Sequence, residues 1–278
     1  MSETELPIPS IEKQRAIVKE YNTVVNRIKL NEQLNQKLEE TAQTLYKNWF
    51  VDFEFPNENG QPYKSSGGKM VYNEELKKEI PKGWLVSRID NICNCNSSNL
   101  GRTHSFDSLY YLDTSNLTNN KIEQIKTYEI GVDKVPSRAK RLVQHNDILH
   151  STVRPNLKHF GLLKYPLGNM VVSTGFAVLR LKNDTYASEL IYQSLIQDSL
   201  INDFQAKAEM SVSTYPSIKP EDLLGISVVL PSESTEYLNK INSLLSSSYE
   251  LIYNNNEEIG KLDDLKDLVL SRMTKIEQ

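Results

Sequence analysis

LPIPSIEKQRAIVKEYNTVVNRIKLNEQLNQKLEETAQTLYKNW (residues 6–49) and LPSESTEYLNKINSLLSSSYELIYNNNEEIGKLDDLKDLVLSRM (residues 230–273) are two versions of one stretch. At a shift of 224, Leu6-Pro7 falls on Leu230-Pro231, Glu12 on Glu236, Ile17 on Ile241, Ile28 on Ile252, Asn31 on Asn255 and Leu38 on Leu262. Steps of four and three pick out Ile17, Tyr21, Val24, Ile28, Asn31, Asn35, Leu38, Ala42, Leu45 and Trp49 in the first copy. In the second they pick out Ile241, Leu245, Ser248, Ile252, Asn255, Ile259, Leu262, Lys266, Val269 and Met273. An apolar stripe at that spacing must be covered, and a partner helix of equal length covers it best. Each helix would be about 60 Å long at about 1.5 Å per residue, too long for the interior of a small domain. The two copies therefore read as a pair of rods. Asn31 and Asn255 either fix register within the seam, as a polar residue among apolar ones does, or lie at its solvated margin.

Working outward, Pro7 and Pro9 stop any preceding element and Ser10 stands where an N-cap belongs. After Trp49 comes VDFEFPNENGQPYKSSGG, a linker by composition. Gly68-Lys69 is not a phosphate loop, because Lys64 stands where the first glycine is needed and Met70 where Ser or Thr is. Between residues 84 and 230 short β-branched or aromatic runs predict strands over 109–115, 147–152, 160–165, 169–174, 176–181 and 226–230. A single amphipathic helix is predicted through Ala187, Leu190, Ile191, Leu195, Ile201 and Phe204. The expected class is α+β: one mixed domain flanked by two long helices. The expected division is 1–55 for the first helix, 56–230 for the domain (56–79 as linker) and 231–278 for the second helix.

Charge is unevenly placed. From Lys134 to Lys164 there are seven basic residues (Lys134, Arg138, Lys140, Arg141, Arg154, Lys158, Lys164) against one acid, Asp147. Totals of 32 basic and 36 acidic residues leave 25 and 35 elsewhere, and the net charge of −4 excludes wholesale non-specific nucleic-acid binding. A local excess of this kind is either a solvated face or the footprint of DNA contact. Within STVRPNLKH (151–159), Ser151, Thr152, Arg154, Asn156, Lys158 and His159 suit a loop that touches phosphates and base edges. VSTGF (172–176) adds Ser173 and Thr174, and SVSTYPSI (211–218) adds Ser213, Thr214 and Tyr215. YLDTSNLTNNKI (111–122) is a further candidate loop, and His145, His150 and His159 fall in the basic block. Cys93 and Cys95 are too few and too close for a disulfide framework, and the four histidines lack metal-ligand spacing. No run of 18 apolar residues and no leader follows Met1, so the expectation is a soluble, cytoplasmic chain. Motifs for a methyl donor, a flipped adenine or a nucleotide motor are not found, which reads as non-catalytic.

LNEQLNQKLEETAQTLYKNWFVDFEFP, followed by KMVYNEELKKEIPKGW (69–84), resembles the central conserved region of Type I restriction–modification specificity subunits. In that family a long helix ends in a Trp-Phe-Val-Asp-Phe-like segment, and an element like Ile80-Pro81-x-Gly83-Trp84 opens the next target-recognition domain. The resemblance covers nearly the whole chain and implies one recognition domain with both helical regions, a half-length form lacking the upstream recognition domain. It implies a non-catalytic partner of double-stranded DNA, of methyltransferase subunits carrying S-adenosylmethionine, and of motor–nuclease subunits using ATP. No cofactor is expected on this chain. The resemblance further implies that the two long helices form an antiparallel coiled coil that spaces two half-sites, about 60 Å corresponding to roughly 18 base pairs. Either the helices pair within one chain, or two copies associate. The alternative function is a truncated interaction module or decoy that does not read DNA.

Overall fold

The structure is a computed structural model and describes residues 10–101, 105–210, 216–232 and 235–274, Met273 and Thr274 by backbone only. It divides into two compact units, one built from the residues up to Ala42 and from Ser247 onward, the other from Gln43–Ser246.

Helix α1 (Ile11–Tyr46) opens as the sequence predicts, with the Ser10 hydroxyl accepting from the Lys13 backbone N–H at 3.3 Å. The closing helix α6 spans Glu236–Thr274. Within the first unit their partners run in opposite senses: Glu20 meets Arg272, Arg27 meets Glu258, Asn35 meets Asn255 and Asn256, and Glu39 meets Tyr249. That descending order is an antiparallel pair. Its seam buries Ile17, Val24 and Asn31 on α1 and Tyr249, Ile252 and Val269 on α6, while Tyr21, Ile28, Leu38, Asn255, Ile259 and Leu262 are half-buried. Ile241 and Leu245 are buried and Leu45 half-buried within the second unit. Asn31 is 2 % exposed, deep in the seam rather than at its margin. Tyr249, which the four-and-three stepping passed over for Ser248, is 1 % exposed and donates its hydroxyl to Glu39 at 2.7 Å.

Within the second unit α1 gives way to one π-helical turn, Lys47–Val51, closed by Asp52 N–H to the Lys47 carbonyl at 2.9 Å. That turn rotates the chain off the heptad stripe, so Trp49 and Phe50 are buried in the second unit. Phe50, Phe53 and Phe55 surround Trp84, their ring centroids 5.4, 5.7 and 4.9 Å from it, and the Trp84 indole N–H donates to Tyr237 at 3.0 Å. Gly68, which failed as a phosphate loop, is needed because a Cβ there would collide with the Tyr63 ring. A hairpin follows, β1 (Met70–Asn73) with β2 (Lys78–Pro81), and then β3 (Trp84–Arg88), the short α2 (Ile89–Ile92) and β4 (Cys93–Cys95).

The remaining strands are β5 (Ser108–Leu112), β6 (Leu117–Thr118), β7 (Lys121–Ile122), β8 (Lys126–Glu129), β9 (Ala139–Leu142) and β10 (Ile148–Ser151). After them come β11 (Phe160–Leu162), β12 (Met170–Ser173), β13 (Phe176–Leu181) and β14 (Ser227–Pro231). Two four-stranded sheets, ordered β11-β10-β13-β4 and β8-β5-β12-β9, face each other. Leu112, Met170 and Val172 from one and Leu149, Phe176 and Val178 from the other share one core. β12 runs parallel to β5, whereas β14 pairs antiparallel with β3, setting Leu230 opposite Leu85.

The single predicted helix over 187–204 is two: α3 (Ser188–Leu195) and α4 (Asp198–Glu209). The Ser194 hydroxyl donates to the Ile191 carbonyl and the Gln197 amide to that of Gln193, ending α3 with side chains. Asp198, in the first turn of α4, favours a fresh start through the helix dipole. A five-residue helix, α5 (Pro220–Leu224), precedes β14. Among the described residues no helix is long and apolar enough to cross a membrane.

Candidate nucleic-acid interface

The described parts of the loops singled out in the sequence meet at one end of the two-sheet sandwich, where β5, β10 and β12 finish and β9 and β13 begin. Thr174 N–H donates to the Arg138 carbonyl at 2.9 Å, and the Thr152 N–H and hydroxyl both donate to the Gly175 carbonyl, at 2.9 and 3.1 Å. Ile218 N–H donates to Thr152 and Arg154 N–H to Pro216, each at 2.9 Å. Asn119 N–H donates to the Lys158 carbonyl at 2.9 Å. A Cβ on Gly175 would lie 2.9 Å from the Thr114 methyl, so the glycine lets the 113–118 turn approach. Segments 113–119, 151–159, 173–175 and 216–218, together with Arg138, are thus laced into one ridge.

Its basic centre is a 3₁₀ turn, Pro155–Leu157, flanked by Arg154 at φ 49° and Lys158 at φ 54°. Two side-chain-bearing residues held left-handed cost free energy that a surface loop does not usually spend, and such strain gathers at functional sites. The turn closes on itself through Leu157 N–H to Arg154 O and Lys158 N–H to Pro155 O, each at 3.0 Å. Helix α4 supports it from below: the Asn156 N–H donates to Gln205 at 3.2 Å and the Lys158 ammonium to Asp198 at 2.7 Å.

Residue by residue, Lys134, Arg138, Lys140, Arg154, Asn156 and Thr174 are exposed, with Lys134 on the β8–β9 connection and Lys140 on β9. Arg141 is half-buried and donates to Asn99 at 2.7 Å, so it packs along the edge of β9. His159 Nδ1 lies 2.7 Å from the Leu117 carbonyl, an acceptor only, so that nitrogen carries the proton and the nearby Thr118 hydroxyl accepts.

Two hydroxyls proposed for DNA contact are turned inward. Ser151 is 2 % exposed and donates to the Val153 carbonyl; Ser173 is fully buried and accepts from Gly175 N–H. Their short side chains shape the turns that follow them. Lys164 leaves the basic face as well: its side chain is only 5% exposed and donates to Glu189 at 2.6 Å and to Asn146 at 2.7 Å. The clustered histidines disperse too. His145 lies on the Tyr165 ring, and His150 is buried between Phe160 and Phe204, its imidazole held down to about 4 by burial. Ser213, Thr214 and Tyr215 lie outside the described residues.

The 113–120 turn contributes residues the sequence reading left unnamed. Asp113 accepts from the Tyr111 hydroxyl at 2.6 Å and from the Ser115 N–H. Burial alone would push its carboxyl up, but the bonds from Tyr111, Ser115 and Thr114 hold it below the ordinary value. Asn119 and Asn120 are both left-handed, at φ 46° and 63°, and the legible signal was the Asn-Asn pair itself. Among the described residues no group of His, Cys, Asp and Glu could hold a metal ion. Burial raises Cys93 to about 12 and Cys95 to about 11, so both remain thiols at neutral pH.

No protein-family model matches the sequence. The chain is 25% identical over 291 aligned residues to the Type I restriction enzyme MjaIX specificity subunit of Methanocaldococcus jannaschii, covering 98% of this chain and 60% of that protein. It is 27% identical over 143 residues to the Type I restriction enzyme HindI specificity subunit of Haemophilus influenzae, covering 50% and 31%. The chain thus spans less than two thirds of the length of either. The fold is similar to that of the Type-I restriction-modification system S subunit from M. genitalium, at a TM-score of 0.55 and 15% identity over 97% of this chain and 62% of the other. In sequence along nearly its whole length, and in fold, the chain is similar to the specificity subunits of Type I restriction enzymes.

Proposed function

We propose that this chain is the DNA-recognition and assembly subunit of a Type I restriction–modification enzyme, reading one half of a bipartite target. The observation that carries the proposal is the convergence of the 113–119, 151–159, 173–175 and 216–218 segments on one ridge, with exposed Arg138 and Arg154 in a chain of net charge −4. Exposed Arg, Asn and Thr side chains there combine phosphate positioning with the capacity to reach base edges. The antiparallel helices supply a stem on which methyltransferase subunits dock. Those subunits carry S-adenosylmethionine and motor–nuclease subunits use ATP, and this chain contributes no catalytic group of its own.

The test is methylation mapping. The chain is expressed as the sole specificity subunit beside a methyltransferase subunit, and methylated adenines are located across the host genome. A single interrupted sequence motif is the expected result. Co-purification with the methyltransferase but no sequence-defined methylation would overturn the DNA-reading role and leave an interaction module.

A further inference from the structure

The ammonium of Lys158, which the proposed reading offers to DNA, is already occupied. It donates to Asp198 at 2.7 Å, with side-chain exposures of 40% and 80% for the two partners. Asp198 and Gln205 stand seven residues apart on α4, two turns along one face, while Ile201, Phe204 and Ala208 of that helix are buried. Both edge residues therefore face the 155–157 turn, one taking its backbone through Asn156, the other its cation.

An exposed ion pair contributes little to stability, and the turn is already fixed by its own backbone bonds, by Asn119 N–H to Lys158 O and by Gln205. The carboxylate is not required to hold the loop. What it does is place a negative charge where a phosphate oxygen would sit.

We propose that Asp198 is a specificity-determining residue that competes with DNA phosphate for Lys158. The inference rests on the reading of this ridge as the DNA face. In the free protein Lys158 is neutralised within the chain, which weakens sequence-independent attraction to duplex. A bound phosphate takes over the ammonium and Asp198 returns to water.

The experiment uses the full chain and a mixed-sequence 40-base-pair duplex, titrated by fluorescence anisotropy at low salt. Wild type, Asp198→Asn, Lys158→Ala and the double variant are compared. Asp198→Asn is expected to bind about two- to fivefold more tightly, the range an exposed ion pair supports. That gain should shrink as salt is raised and should vanish in the Lys158→Ala background. Asp198→Ser should reproduce it, and thermal melting should show both variants folded. Weaker or unchanged binding by both Asp198 variants overturns the role of Asp198, as does a gain that survives without Lys158. If Arg154→Ala and Lys158→Ala also bind as wild type does, the reading of this face as the DNA interface falls with it. If those two weaken binding while the Asp198 variants gain nothing, only the competition is wrong.

Discussion

Arg154 shows what a residue type does and does not reveal. Its position beside Pro155 in a basic stretch was enough to place it on a loop, and it is exposed at a left-handed φ on the ridge. Arg154→Ala should lower duplex affinity and reduce the log–log salt slope by roughly 0.9 for the one phosphate contact removed, measured by titration at several salt concentrations. Ser151 and Ser173 come from the same candidate runs, yet they are buried, and the Lys164 side chain from the same basic block is turned in onto Glu189. Composition cannot distinguish the two outcomes, because which way a side chain faces depends on register against strands distant in sequence. His150 illustrates the energetic side. Its folded imidazole is lowered to about 4 against an ordinary 6.5, chiefly by burial. The unfolded chain therefore binds the extra proton first as pH falls. Stability is complete above about pH 6.5 and is lost progressively toward about pH 4, by on the order of 2–4 kcal/mol. Urea unfolding between pH 7.5 and 5 should show this decline, and His150→Gln should remove most of it.

At the scale of elements, the two heptad helices were legible because each repeats one simple demand many times. Their antiparallel order followed from the family resemblance rather than from the stripe, and Tyr249 was missed because a tyrosine beside a serine fits two steppings equally well. Strands β10, β12, β13 and β14 were readable as β-branched runs. β6 and β7 have two residues each, and β8 (KTYE) and β9 (AKRL) hold one β-branched residue between them, so neither pair stood out as a run. Phe50, Phe53, Phe55 and Trp84, from the segments that carried the family resemblance, form an aromatic hub. Trp84→Ala should cost about 3–5 kcal/mol, lowering the melting temperature by roughly 10 °C. Val71→Ala, on the exposed face of β1, should shift it by no more than about 2 °C. A melt in which the two variants match would remove the hub from the stability of this unit.

For the molecule as a whole, the charge pattern and the repeat were visible in the sequence, whereas oligomeric state is not encoded in a seam that one chain can satisfy alone. Under the proposed function a bipartite site needs two recognition domains, which association of two copies would supply. Sedimentation velocity of the full chain should give a dimer or a concentration-dependent mixture, and a strict monomer at high concentration would end that version. The left-handed Arg154 has a consequence for how such a protein changes over time. Glycine would suit that backbone better, so Arg154→Gly should melt no lower than wild type while gripping duplex less well. Selection for robustness and selection for a target then pull in opposite directions at the same codon, and a lineage that stops needing its target should drift there first.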